Sequence, residues 1–123
     1  MDPHTFTQIA QEAMEALPDH IRKAMGDVII VIEDQPGKHR TFGRGGLLLG
    51  LYEGVPLTKW GRNFSGKQPD KITLFRQPIE TYAKSPEEIP RVIRETVWHE
   101  VGHYFGLDHQ QIGAMEKRWQ ERR

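Results

Sequence analysis

The sequence predicts one small domain that mixes helices with short strands. Three observations lead there. A β-branched run at 27–33 is most simply a buried strand, a second run at 71–76 alternates weakly, and two stretches, 5–17 and 85–105, carry apolar residues at helical spacing. The length of 123 residues suits a single modest core, so residues 1–123 are taken as one domain.

The elements follow in order. Residues 1–26 form an N-terminal helical segment. Thr5 followed by Gln8 fits a capping box, and Phe6, Ile9, Ala13, Ala16 and Leu17 recur at helical spacing. Pro18 and Asp19 interrupt the helix, and His20 to Met25 add one further turn that Gly26 stops. Asp27 to Glu33 is the first strand. Glycines and prolines between 34 and 70 forbid a long helix there, with Leu47-Leu48-Leu49 and Leu51-Tyr52 supplying a short strand. Lys71 to Arg76 reads as a strand ended by Pro78. Ser85-Pro86-Glu87-Glu88 then starts a helix, with Ser at the N-cap, Pro at N1 and Glu at N3. This helix, 85–106 with its stop, carries Ile89, Val92, Ile93, Val97, Val101 and Tyr104 on one face and ends at Gly106. A last helix begins near Asp108 or His109, with Ile112, Met115 and Trp119 on one side.

Composition narrows the chemistry. There are no cysteines, which removes disulfides, thiolate metal sites and cysteine nucleophiles together. Any metal must be held by histidine and carboxylate. The formal net charge is +0, so no global field recruits nucleic acid or anionic lipid. No apolar run approaches the roughly 20 residues that cross a bilayer, and no membrane partner is expected. Met1-Asp2-Pro3-His4 shows no secretion signal, and a cytoplasmic location is expected.

The informative string is His99-Glu100-Val101-Gly102-His103-Tyr104-Phe105-Gly106-Leu107-Asp108-His109. On a helix, positions 99 and 103 are one turn apart, so both imidazoles project from the same side. That spacing can set two nitrogens about 2.0–2.1 Å from one zinc ion. Glu100 lies beside them and can reach a metal-activated water without becoming a ligand. Gly106 lets the chain leave the helix sharply, through a left-handed residue, to bring His109 round as a third ligand. Three protein nitrogens leave one tetrahedral position open, the mark of a catalytic site. Five such fixed positions arise by chance in a chain of this size on the order of once in 10⁵. His99, His103 and His109 are therefore the candidate zinc ligands, and Glu100 is the candidate general base. On the helical wheel the histidines flank the apolar stripe and Glu100 falls within it.

His-Glu-x-x-His-x-x-Gly-x-x-His is the zinc signature of metzincin metallopeptidases. Together with 49–58 (Leu49-Gly50-Leu51-Tyr52-Glu53-Gly54-Val55-Pro56-Leu57-Thr58) and 69–76 (Pro69-Asp70-Lys71-Ile72-Thr73-Leu74-Phe75-Arg76), it resembles the minimal single-domain zincin-like metallopeptidases of bacteria over roughly 27–120. The resemblance implies an α+β fold, a small mixed sheet packed on the active-site helix. It also implies a Zn2+-dependent peptidase with Glu100 as base, acting on peptide or unfolded protein. Larger metzincins carry a methionine turn well downstream of the third ligand. Here 14 residues follow His109, and Met115, their one methionine, is read as core packing.

Other residues carry weaker readings. Asp108 is a cap for the last helix or an acceptor that orients a ligand histidine. Tyr52, Tyr82 and Tyr104 are candidate donors to an oxyanion, with Tyr52 preferred and Tyr104 read as core. The strand at 71–76 is read either as an exposed edge to which a peptide adds or as ordinary sheet pairing. Gly43-Arg44-Gly45-Gly46 is no dinucleotide fingerprint. The basic stretch 38–67 reads as a solvated loop, and nucleic acid is not the expected partner. Two other readings stay open. Gly106-Leu107-Asp108-His109 looks like the motif end of small bacterial zinc endoribonucleases, which have glycine where Glu100 stands. The third is a zinc-stabilised interaction module without turnover. Oligomeric state is not legible.

Overall fold

The computed structural model describes residues 1–37, 47–54, 69–106, 110–114 and 117. Helix α1 (Pro3–Glu15) begins earlier than the Thr5 capping box implied. Asp2 is the N-cap: its Oδ1 accepts from the Thr5 N–H at 2.8 Å and its Oδ2 from the Thr5 hydroxyl at 3.0 Å. Pro3 at N1 decides the start, because its fixed φ suits a first turn and its missing N–H is not needed there. Phe6, Ala10 and Ala13, spaced by four and three, are buried. Helix α2 (Asp19–Met25) follows Pro18 and ends before Gly26, burying Ile21 and Met25.

Three strands form a mixed sheet in the order β1-β3-β2: β1 (Val28–Glu33), β2 (Gly50–Glu53) and β3 (Asp70–Phe75). β1 runs parallel to β3, with Val28 opposite Asp70 and Glu33 opposite Phe75. β2 runs antiparallel to β3, pairing Gly50 with Leu74 and Tyr52 with Ile72. One expectation changes and one alternative is decided. β1 is a half-buried strand at one side of the sheet, with Ile29 exposed, because only β3 pairs with it among the described residues. Of the two readings of 71–76, ordinary sheet pairing holds and the exposed edge does not, because β3 is central and paired on both flanks.

Pro78 does not end a strand. Helix α3 (Arg76–Ala83) starts directly after Phe75 and takes Pro78 into its first turn, where no intrahelical N–H bond is lost. Arg76 ties this start to Asp34 and Glu80, each at 3.0 Å. Lys84 in a left-handed conformation closes α3. A 3-10 turn (Pro86–Glu88) leads into α4 (Ile89–Tyr104), so Pro86 and the acidic pair precede the α-helix proper. The Ser85 side chain makes no capping bond; its carbonyl accepts from the Glu88 N–H at 3.1 Å instead.

The core lies between one face of the sheet and helices α1 and α4. Ile72, Leu74 and Tyr52 come from the sheet, Phe6, Ala10 and Ala13 from α1, and Val92, Ile93, Val97 and Val101 from α4. α1 also packs on β1, and α4 lies along β2 and β3. This is an α+β fold. Among the described residues no helix is long and apolar enough to cross a membrane.

Candidate metal centre

α4 forms because its apolar residues recur every three or four positions. Ile89, Val92, Ile93, Thr96, Val97 and Val101 lie on the buried side. That stripe fixes the rotation of the helix and therefore the direction of its polar residues. His99 and Glu100 come out half-buried and His103 exposed, so Glu100 stands at the margin of the apolar stripe and not within it. The rings of His99 and His103 meet edge to face, with centroids 4.7 Å apart and planes at 62°.

The spacing can be tested against a metal. Two imidazoles bound tetrahedrally, with nitrogens about 2.0–2.1 Å from zinc, set their ring centres roughly 5 Å apart. The observed 4.7 Å suits that arrangement, and two neutral imidazoles are the donor type zinc takes. The pair fits a shared ion.

The helix ends as its sequence implied. Phe105 is the C-cap, its N–H bonding back to the Val101 carbonyl at 3.1 Å, and the Gly106 N–H donates to the His103 carbonyl at 3.1 Å. Gly106 has φ +73°, the left-handed conformation that glycine adopts most cheaply. Beyond it the chain is helical again at 110–114, and Ile112 is back in the core at 3% exposure. Asp108, His109 and Met115 lie outside the described residues, as do Gly43–Gly46 and most of the basic stretch 38–67. Among the described residues no three histidines, cysteines or carboxylates gather as a metal group.

The tyrosines sort differently from the sequence reading. Tyr104 is 48% exposed, not core, because it lies beyond Val101, where the buried stripe stops. Its ring stacks on Tyr52 with centroids 4.1 Å apart and planes at 27°. Tyr52 is buried, and its hydroxyl is engaged, donating to Asp70 Oδ2 at 2.6 Å. Burial, then that hydrogen bond, raise the Tyr52 phenol well above its ordinary range, which keeps it a donor. Tyr82 is exposed on α3. Asp70 was missed in the sequence: a carboxylate opening a strand gives no local hint of a tyrosine eighteen positions away.

Comparison with known proteins adds two findings. The family described as zincin-like metallopeptidase matches residues 25–119, most of the chain. Among solved structures, a conserved hypothetical protein of T. thermophilus superposes with a TM-score of 0.58 at 19% identity, covering 85% of this chain and 94% of its own. That likeness is one of fold. No curated protein matches the chain.

Proposed function

We propose that this chain, which belongs to the zincin-like metallopeptidase family, is a zinc-dependent peptidase that holds one Zn2+ with His99, His103 and His109 and uses Glu100 as general base. The family implies zinc binding; the ligand set and the reaction are our reading. The observation that carries it is the edge-to-face approach of His99 and His103 at 4.7 Å, with Glu100 half-buried beside them on the same helix. Gly106 turning left-handed and Ile112 anchored in the core also support His109 as the third ligand, since the two hold the ends of the short span that contains it.

Zinc, when bound, supplies a Lewis acid that polarises the scissile carbonyl and acidifies water. The protein's own part is to hold and move protons. Glu100 accepts a proton from the attacking water and passes it to the departing amine, the two-way role expected of a carboxylate near reacting atoms. α4 directs His99 from its covered part and carries His103 one turn further on, on the same side of the helix. The substrate we expect is extended peptide or unfolded protein.

The test is metal content together with cleavage of a quenched, unstructured peptide library, comparing wild type with Glu100→Gln. One zinc in each protein, with cleavage in wild type alone, is the expected result. Equal cleavage by Glu100→Gln removes Glu100 as base. Zinc binding with no peptide cleavage, but turnover of labelled RNA, replaces the peptidase by a nuclease.

A further inference from the structure

His103 sits where its helix is least supported. The apolar side of α4 is covered as far as Val101 and Gly102, and from His103 onward the helix stands exposed. Helix ends fray, and a ligand on a terminal turn loses its geometry unless something outside the helix holds it. The neighbouring residue provides that hold.

Tyr104 follows His103 directly and lies two residues before Gly106. Its ring rests on Tyr52 at 4.1 Å. Its hydroxyl reaches over Gly54, where an added Cβ would collide with that oxygen and displace the ring. Tyr52 is 8% exposed and is fixed at its far end by the 2.6 Å hydrogen bond to Asp70. Asp70 is 3% exposed and opens the central strand, its backbone N–H bonded to the Asp27 carbonyl at 3.2 Å. A continuous set of contacts therefore runs from the middle of the sheet to the turn that carries His103.

We propose that Asp70, Tyr52 and Tyr104 form a brace that positions His103 for the metal, with none of the three touching the metal or the substrate. The inference rests on the zinc reading above. It replaces the idea of Tyr52 as an oxyanion donor, since the Tyr52 hydroxyl is committed to Asp70 and its ring to Tyr104. Groups that orient a metal-binding histidine typically change affinity by about 10–100-fold when lost. Tyr104 acts through the backbone of the turn, so the lower end of that range is expected.

The experiment measures zinc affinity by competition with a chromogenic chelator, the visible spectrum of the cobalt-substituted protein, and the melting temperature of the metal-free protein. The proteins are wild type, Tyr104→Ala, Tyr104→Phe, Tyr52→Leu, and Ile79→Val as a core change on α3. Expected for Tyr104→Ala and Tyr52→Leu is a loss of about 10-fold in zinc affinity with altered cobalt bands. Tyr104→Phe, which keeps the stacked ring, restores affinity to near wild type. Ile79→Val lowers the melting temperature but leaves affinity and spectrum unchanged. Wild-type affinity and spectrum in Tyr104→Ala overturn the brace while leaving the zinc reading intact. Failure of the wild type itself to bind zinc overturns the metal reading, and the brace with it.

Discussion

Trp98 and Ala13, 85 positions apart, are joined by a 2.8 Å hydrogen bond from the indole Nε1 to the backbone carbonyl. Trp98 is 2% exposed and immediately precedes His99; Ala13 lies in the last turn of α1, where its carbonyl also accepts from the Ala16 N–H at 3.3 Å. The bond pins the helix of the candidate site to an element outside residues 25–119, the stretch that matches the family. Trp98→Phe is expected to lower stability by about 1–2 kcal/mol, from the lost bond and the space the smaller ring leaves. Urea unfolding measures it, and an unchanged midpoint would mean that α1 is held by apolar contact alone.

What could be read from the sequence was what is encoded locally. α4 announced itself through its apolar period, and the His99 and His103 spacing and the stop at Gly106 follow from the geometry of a single helix. Asp2 was equally readable, since Asp2-Pro3 is a cap followed by an N1 proline, but Thr5 and Gln8 offered a competing signal just downstream. α3 was hidden because Arg76 follows Phe75 with no turn residue between strand and helix, leaving Pro78 to look like a terminator. The central place of β3 depends on a parallel pairing with β1 across a long intervening stretch, which no local pattern records. The Tyr52–Tyr104 stack and the Tyr52–Asp70 bond are invisible for the same reason: each needs the sheet register or the helix position, which only the assembled fold supplies.

Gly106 carries a backbone requirement. Its φ is +73°, and an added Cβ would meet nothing within 4 Å among the described residues. Gly106→Ala therefore tests chiefly conformation, and the left-handed strain should lower stability by about 1–2 kcal/mol. If the turn also aims His109, zinc affinity falls in step. Chemical unfolding and a zinc titration on the same preparation read both; stability lost with affinity kept would detach the turn from the metal.

The N-cap of α1 carries a pH signature. The Thr5 N–H, then the Thr5 hydroxyl, hold the Asp2 carboxyl below its ordinary 3.8. A folded-state value below the unfolded one gives stability that is complete above 3.8 and drains away as pH falls through the lowered folded value. Asp2→Asn keeps a capping oxygen without the charge. Its melting temperature should lie slightly below wild type at neutral pH, with the gap closing on the acid side of 3.8. The effect is small and weakens with salt, because the carboxylate is exposed. A gap that persists unchanged in acid would mean the charge is not what the cap uses.

Two buried threonines make opposite predictions for the same substitution. Thr73, in the central strand, is 1% exposed and its hydroxyl oxygen has no hydrogen-bond partner among the described residues. Thr96, on α4, is 0% exposed, and its hydroxyl donates to the Val92 carbonyl at 2.7 Å. Valine has nearly the same shape as threonine, so each change mainly removes a polar group. At Thr73 that group is buried without compensation, and valine also suits a strand, so Thr73→Val should raise stability by about 1 kcal/mol. At Thr96 the hydroxyl is satisfied, so Thr96→Val gains no such relief and should be neutral or lose up to about 1 kcal/mol. Paired urea denaturation curves decide it. If both variants gain equally, hydrogen bonding does not distinguish the sites; if Thr73→Val loses stability, its hydroxyl has a partner in solution after all.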